Sequence, residues 1–498
     1  MRAAHRSRVP RRSTTLAGCT LAVVLGMPLV ALAEWPQFQG GPSHDGLSDG
    51  PSAPLEVAWR HGDIAIDDAD VTGGLSSPVV ADNGTIVVVG PHEVLGFDDE
   101  NGSEVFTAPR DLGPSVTPAI GSGPDGQVVV FAEGFGDRGP ATTASPTASS
   151  TASPSASPGE EGDTGSHLVA IDLRSGETVW PSSVPLEDVV RTPVTADETA
   201  VYVGDFGGHV TAVELSSGEL RWSTDIGSSI AGAVTVDGDR ALVATVGEQQ
   251  TPGAVVALDR STGEELWRTG EDAVQGNLVS GPVVADGMIL VLEPGSVIAL
   301  DAAEGRFLWR SEIVNPLTTP FSPQGISTPA PVSADGTVYA VDVTGRAYGL
   351  DAETGTVLWD QALNDPSPLT PPVLTVAHLL VPTNSGSLYA IDRETGHLVF
   401  KIDAGEAFLR GLADAGDVLV AVTGVEDAEI VAFGEDPDGA LTDEPSPTTF
   451  DLGSLLAGFA LGGLPVSIVA LALASPLQRR LGPTPRPGSD LDPEEGAG

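Results

Sequence analysis

The twelve residues Val256-Ala257-Leu258-Asp259-Arg260-Ser261-Thr262-Gly263-Glu264-Glu265-Leu266-Trp267 decide the fold. An apolar run reaches an acidic residue, a polar turn ends in glycine, and a short second strand closes on an aromatic, which is the pattern of a β-hairpin. The phrase recurs in both directions. Upstream it closes on Gly102 and Phe106, on Gly176 and Trp180, and on Gly218 and Trp222; downstream, on Gly305 and Trp309, Gly355 and Trp359, and Gly396 and Phe400. Successive glycines lie 74, 42, 45, 42, 50 and 41 residues apart, a period that fits one four-stranded propeller blade. The long first interval holds residues 139–165, a Pro/Ser/Thr/Ala-rich stretch predicted to be a disordered insert because it has no apolar surface to bury.

Each copy is preceded by two more strand signals, such as Ser77-Pro78-Val79-Val80-Ala81-Asp82 and then Thr85-Ile86-Val87-Val88-Val89. A proline recurs at Pro118, Pro193, Pro282, Pro331 and Pro372, on what should be the innermost strand. An eighth unit, residues 411–433, supplies three strands and then dissolves into acidic residues. Its missing aromatic strand sits at the other end of the chain, as Leu55-Glu56-Val57-Ala58-Trp59-Arg60. The expected fold is therefore all-β, an eight-bladed propeller of four-stranded blades spanning 54–434, whose last blade is closed by the N-terminal strand. Trp59, Trp180, Trp222, Trp267, Trp309, Trp359, Phe106 and Phe400 occupy the closing slot and should pack between blades, Trp59 buried like Trp222 or Trp267. Residues 34–53 carry no strand signal, so their loss should cost much less than that of Trp59, and the segment should clamp Trp35 against the propeller.

The ends read as targeting segments. Residues 1–33 combine five arginines, an apolar run and Ala31-Leu32-Ala33, as a signal peptide does. Arg11-Arg12 suits a twin-arginine signal, but Thr14 and Thr15 stand where bulky apolar residues belong. Cys19, the only cysteine, opens the apolar run instead of closing it, which speaks against a lipid anchor there. After an acidic linker, 435–451, residues 452–477 carry no charge and would span roughly 39 Å as a helix. Arg479-Arg480 follow, so a tail from 478 to 498 stays in the cytoplasm and the propeller outside, as in a single-pass protein of the cell membrane.

The formal charge of −46 arises from 69 acidic and 23 basic residues, among which Lys401 is the single lysine. Such a field repels phosphate backbones, and nucleic acid is not an expected partner.

The repeat resembles that of the pyrroloquinoline-quinone-like (PQQ-like) propeller superfamily over residues 34–434, and Trp35-Pro36-Gln37-Phe38 resembles its N-terminal segment. The resemblance implies the propeller. Its members include quinone-dependent dehydrogenases and non-catalytic envelope proteins, such as the scaffold of outer-membrane assembly. A dehydrogenase of this kind would bring calcium, a catalytic aspartate and, in many cases, a cysteine pair, which is absent here. The aspartates fall instead in repeated turns, where they should cap backbone N–H groups: Asp82, Asp197, Asp237, Asp286 and Asp335 in one, Asp172, Asp259, Asp301, Asp351 and Asp392 in the other. Asp68-x-Asp70-x-Thr72-Gly73 begins like a calcium loop, but its twelfth position is Val79, which supplies no carboxylate. His44, His61, His92, His167 and His209 lack metal-ligand spacing. Arg191 and Arg410 precede inner strands and are expected as solvated residues at one mouth of the channel. No catalytic, cofactor-binding or metal-binding residue is assigned. The expected role is a non-catalytic envelope scaffold that binds other envelope proteins or cell-wall glycan and touches lipid through its helix.

Overall fold

The computed structural model describes residues 35–67, 74–123, 126–135, 165–247, 251–313, 330–342, 344–365, 370–405, 410–424 and 427–441. The signal peptide, most of the Pro/Ser/Thr-rich insert, the calcium-like loop and residues 452–477 lie outside them. Eight sheets form, each of four antiparallel strands. In the third blade the strands Thr195–Ala196, Ala200–Gly204, His209–Glu214 and Leu220–Asp225 follow one another as a meander. First strands of neighbouring blades touch, for example Thr195–Ala196 with Ala119–Gly123, so the first strand is innermost and the fourth forms the rim.

The eighth blade closes with the N-terminal strand Leu55–Ala65, which pairs antiparallel with Asp427–Glu435 and runs longer than the six residues read from sequence. Trp59 stands opposite Ala432. The same rung recurs as Trp222 opposite Ala212, Trp267 opposite Ala257 and Trp309 opposite Ala299. One residue before each of these aromatics is left out of register, as Arg221, Leu266 and Leu308 are. This bulge twists the exposed outer edge and blunts its tendency to pair with another chain.

The core is a set of clusters between adjacent sheets, filled by Val, Ala, Leu and Ile such as Val203, Val213, Leu242 and Ile298. Inner positions alternate between the two faces of a buried sheet, which is why the second and third strands read as nearly continuous apolar runs. Because every blade is an antiparallel meander, the first-to-second and third-to-fourth turns share one face of the disc. The remaining connections share the other.

Candidate binding surface

The closing aromatics form the joints between blades. A Cβ added at Gly263 would lie 2.6 Å from Trp222 of the preceding blade; at Gly218, 2.7 Å from Trp180; at Gly355, 2.5 Å from Trp309; and at Gly396, 2.5 Å from Trp359. The indole therefore lies flat on the glycine. Its Nε1–H donates to the carbonyl three residues earlier: Trp180 to Leu215 at 2.9 Å, Trp222 to Arg260 at 3.0 Å, Trp309 to Ala352 at 2.8 Å and Trp359 to Arg393 at 3.2 Å. Trp59 makes the same joint across the seam, resting on Gly102 and donating to the Asp99 carbonyl at 2.8 Å. Trp267 rests on Gly305 but finds no acceptor, because the Arg240 guanidinium takes the Ala302 carbonyl. Trp59 and Trp267 are half-buried, whereas Trp222 is buried.

Phe106 and Phe400 differ from the tryptophans. Phe106 lies over Gly96 of its own blade, and Ala108 is the nearer neighbour of Gly176. Phe400 has no glycine to meet, because the eighth blade is made from two ends of the chain and has no turn between its third and fourth strands.

Each docking glycine has a φ between +66° and +74°, and its N–H closes the turn, as Gly263 does on Asp259 at 2.8 Å. The sequence reading missed the small residue opposite each aromatic. Gly96, Ala212, Ala257, Ala299, Gly349 and Ala390 all stand two positions before the acidic residue, a signal that was available. Gly263→Ala should cost about 3 kcal/mol, combining left-handed strain with the clash against Trp222. Gly238→Ala, at a φ of +57° with nothing within 4 Å, should cost only about 1 kcal/mol. Equal denaturant midpoints for the two variants would remove the joint from the account.

The N-terminal segment does more than clamp Trp35: residues 35–50 cross one end of the channel and bond to every blade. Trp35 pairs with Val80 of the first blade, and the Pro36 carbonyl accepts from Ile120 of the second at 2.7 Å. Gln37 clasps both backbone groups of Ala196 in the third, at 2.8 and 3.1 Å. Pro42 and Ser43 accept from Val236 of the fourth and Val284 of the fifth, and Gln39 donates to Pro331 of the sixth. Gly46 and Ser48 bracket Leu374 of the seventh, and Ser48 Oγ donates to Asp414 of the eighth at 2.7 Å. The inner strands leave an edge of unpaired backbone groups facing the channel; in the first seven blades at least one such group is satisfied this way, and the eighth is tied through the Asp414 carboxylate. Trp35 and Phe38 are 3% and 5% exposed.

His44 is buried at the centre of this plug. Its Nδ1 lies 2.6 Å from the Phe38 carbonyl, and its Nε2 lies 3.2 Å from the Thr195 hydroxyl and 3.1 Å from the Val234 carbonyl. Burial pulls its pKa below the usual 6.5, against the opposing pull of the two carbonyls. The folded pKa is the lower one, so the unfolded chain takes up the proton first. The contribution of His44 is thus complete above about pH 6.5 and is lost as the pH falls below it. Unfolding free energy should decline as the pH falls below about 6.5, and His44→Gln should flatten that slope. An unchanged slope in the variant would contradict this placement.

The plugged face holds the first-to-second turns. Asp197 caps there, accepting from Thr199 N at 2.7 Å and Ala200 N at 2.9 Å. Asp286 and Asp335 do not: with the glycines that follow, they take left-handed φ values of 51° and 50°, as a tight Asp-Gly hairpin turn demands. In the Asp82 turn the cap is Asn83, and Asp237 is held by Arg240. Asp172, Asp259, Asp301, Asp351 and Asp392 all accept turn N–H groups.

At the opposite, loop-bearing face the carboxylates are likewise engaged. Asp205 accepts from Asp188 N and His209 N, and Asp342 from Thr344 N, Arg346 N and the Tyr348 hydroxyl. Asp365 Oδ2 gathers the hydroxyls of Thr383, Ser385 and Tyr389. Burial pushes Asp205 and Asp342 up from the ordinary carboxylate range. Arg410 corrects an expectation. It is not a solvated mouth residue but is 3% exposed, donating to the Leu75 carbonyl across the seam between blades eight and one. Arg191 is half-buried. His61, His167 and His209 remain scattered, and among the described residues no three His, Cys, Asp or Glu side chains stand close enough to hold a metal ion. Among the described residues, Asp205 and Asp342 are engaged in turns, whereas Asp365 Oδ1 and Asn384 Nδ2 are buried without a partner.

A family profile described as outer membrane protein assembly factor BamB matches residues 164–342, 251–377 and 345–439, more than half of the chain. No curated protein matches significantly. Among solved structures, the chain resembles BamB from Moraxella catarrhalis at 18% identity, covering 77% of this chain and 98% of that one with a TM-score of 0.54. It also resembles quinohemoprotein alcohol dehydrogenase from Comamonas testosteroni at 13% identity, 87% of each chain and a TM-score of 0.59. The computationally designed Ika8 protein matches at 13% identity, 76% of this chain and 99% of that one, with a TM-score of 0.54. These likenesses concern the fold. On the family match and the eight closed blades together, the chain belongs to the BamB family of PQQ-like β-propellers.

Proposed function

We propose that the protein is a non-catalytic scaffold of the cell envelope, a rigid disc that binds another envelope protein and is held at the membrane by residues 452–477. The observation that carries this reading is the plug. Residues 35–50 occupy one end of the channel and bond to all eight blades, while Asp205 and Asp342 at the other end are engaged in turns. What this reading takes the molecule to offer is its surface. The family's description as an assembly factor supports the same class of role. The dehydrogenase relative shares the fold alone.

The full-length protein in detergent, supplied with PQQ and calcium and assayed by dye-linked oxidation of alcohols and sugars, should gain no activity. A saturable gain would replace this reading with that of a quinone enzyme. Carbonate washing should leave the full chain in the membrane and release a chain that lacks residues 452–477. Retention of the shortened chain would move the anchor to Cys19.

A further inference from the structure

We infer that the sector of the plugged face at blades seven and eight rests on the lipid surface, which leaves the loop-bearing face as the one presented to a partner. The inference rests on the reading of residues 452–477 as a membrane span. The last blade's third strand, Asp427–Glu435, ends on the plugged face, and the chain departs from there: Asp436 N donates to the Pro54 carbonyl beside the start of Leu55–Ala65. From Leu441 only residues 442–451 remain before the uncharged stretch. Ten residues reach at most about 36 Å when fully extended. The tether therefore holds this point of departure within about 36 Å of the membrane.

The surface at the point of departure is apolar where solvent would ordinarily select polar turns. Val376, at the tip of the first turn of blade seven, is 76% exposed. Leu47, bridged to Leu374 two residues before Val376, is 42% exposed, and Leu441 is 49% exposed. A strand-to-strand turn gains nothing from a bare valine in water, whereas three large apolar side chains around a membrane tether suit insertion at the headgroup boundary. Exposed Asp49, Asp417 and Asp438 lie on the same face. They oppose an anionic leaflet, so the fit is to zwitterionic lipid.

The test uses the full chain with Cys19 replaced by serine and one fluorophore attached at Val376→Cys or at Ser385→Cys, an exposed position on the loop-bearing face. Each is reconstituted in phosphatidylcholine vesicles that carry a lipid quencher in the headgroup region. Quenching at 376 should exceed that at 385 at least threefold and should fall when about a fifth of the lipid is made anionic. Equal or reversed quenching, in vesicles that keep the protein through a carbonate wash, overturns the inference and leaves the anchor standing. Loss of the protein from the vesicles in that wash overturns both.

Discussion

A chain lacking residues 35–50 should lose about 5 kcal/mol of unfolding free energy, on the order of a 10 °C fall in melting temperature for a domain of this size. Two opposing effects set that figure. Trp35 and Phe38 leave buried sites, and the rungs at Val80, Ile120, Ala196, Val236, Val284 and Leu374 lose their partners, at about 1 kcal/mol each. Against this, sixteen residues no longer need to be ordered, a gain of the same order as the lost contacts, so the net change is much smaller than either. The effect should be spread over the ring, because six blades lose a rung at the inner edge and the sixth and eighth lose their side-chain ties at Pro331 and Asp414. Thermal melting with limited proteolysis reads it directly. A deletion that melts within a degree or two of the parent would show the segment to be a passive lid, as its lack of strand signals suggests.

Trp59→Ala should cost about 3 kcal/mol and should act on the whole ring. The indole loses its seat on Gly102 and its bond to the Asp99 carbonyl. Its half-burial keeps the figure at the lower end of the range for emptied aromatic sites. Position matters more than size here, because Trp59 stands on the strand that pairs the two ends of the chain, opposite Ala432 of Asp427–Glu435. Trp222→Ala makes the matched control: it removes an equivalent joint inside a continuous stretch, so its damage should stay near blades three and four. Hydrogen exchange resolved by peptide separates the two. Protection lost at both Leu55–Ala65 and Asp427–Glu435 in Trp59→Ala, but not in Trp222→Ala, is the expected pattern. Matching patterns would mean that the seam is no weaker than any other joint.

The blades were legible because a hairpin, an acidic turn and a closing aromatic are all short-range signals, and Gly263 with Trp267 carries them within five residues. Even the closure was legible, since a strand without a blade and a blade without a strand can be matched by subtraction. The joints required more. Trp222 docks on Gly263 of the next blade, forty-one residues on, and nothing local says that the two glycine-aromatic series are offset by one blade. The plug was invisible for a different reason. Its bonds come from Gln37, Pro36, Pro42 and Ser43, residues of no periodicity, to backbone atoms of strands up to hundreds of residues away. Arg410 was misplaced because a basic residue before an inner strand looks like a mouth residue until the seam it fills is known. Asp286 and Asp335 were read as caps because the composition of a capping turn and of a tight Asp-Gly turn is the same.

The central claim is that the protein works by binding, through the face opposite the plug. Site-specific photo-crosslinking in the native membrane tests it most directly, with the reactive group placed at exposed Glu187, Asp225 or Glu271 on the loop-bearing face and at Asp239 or Asp417 on the plugged one. The account predicts discrete protein adducts from positions of the loop-bearing face and none from the plugged face. Adducts only from the plugged face, or none from either, would contradict it.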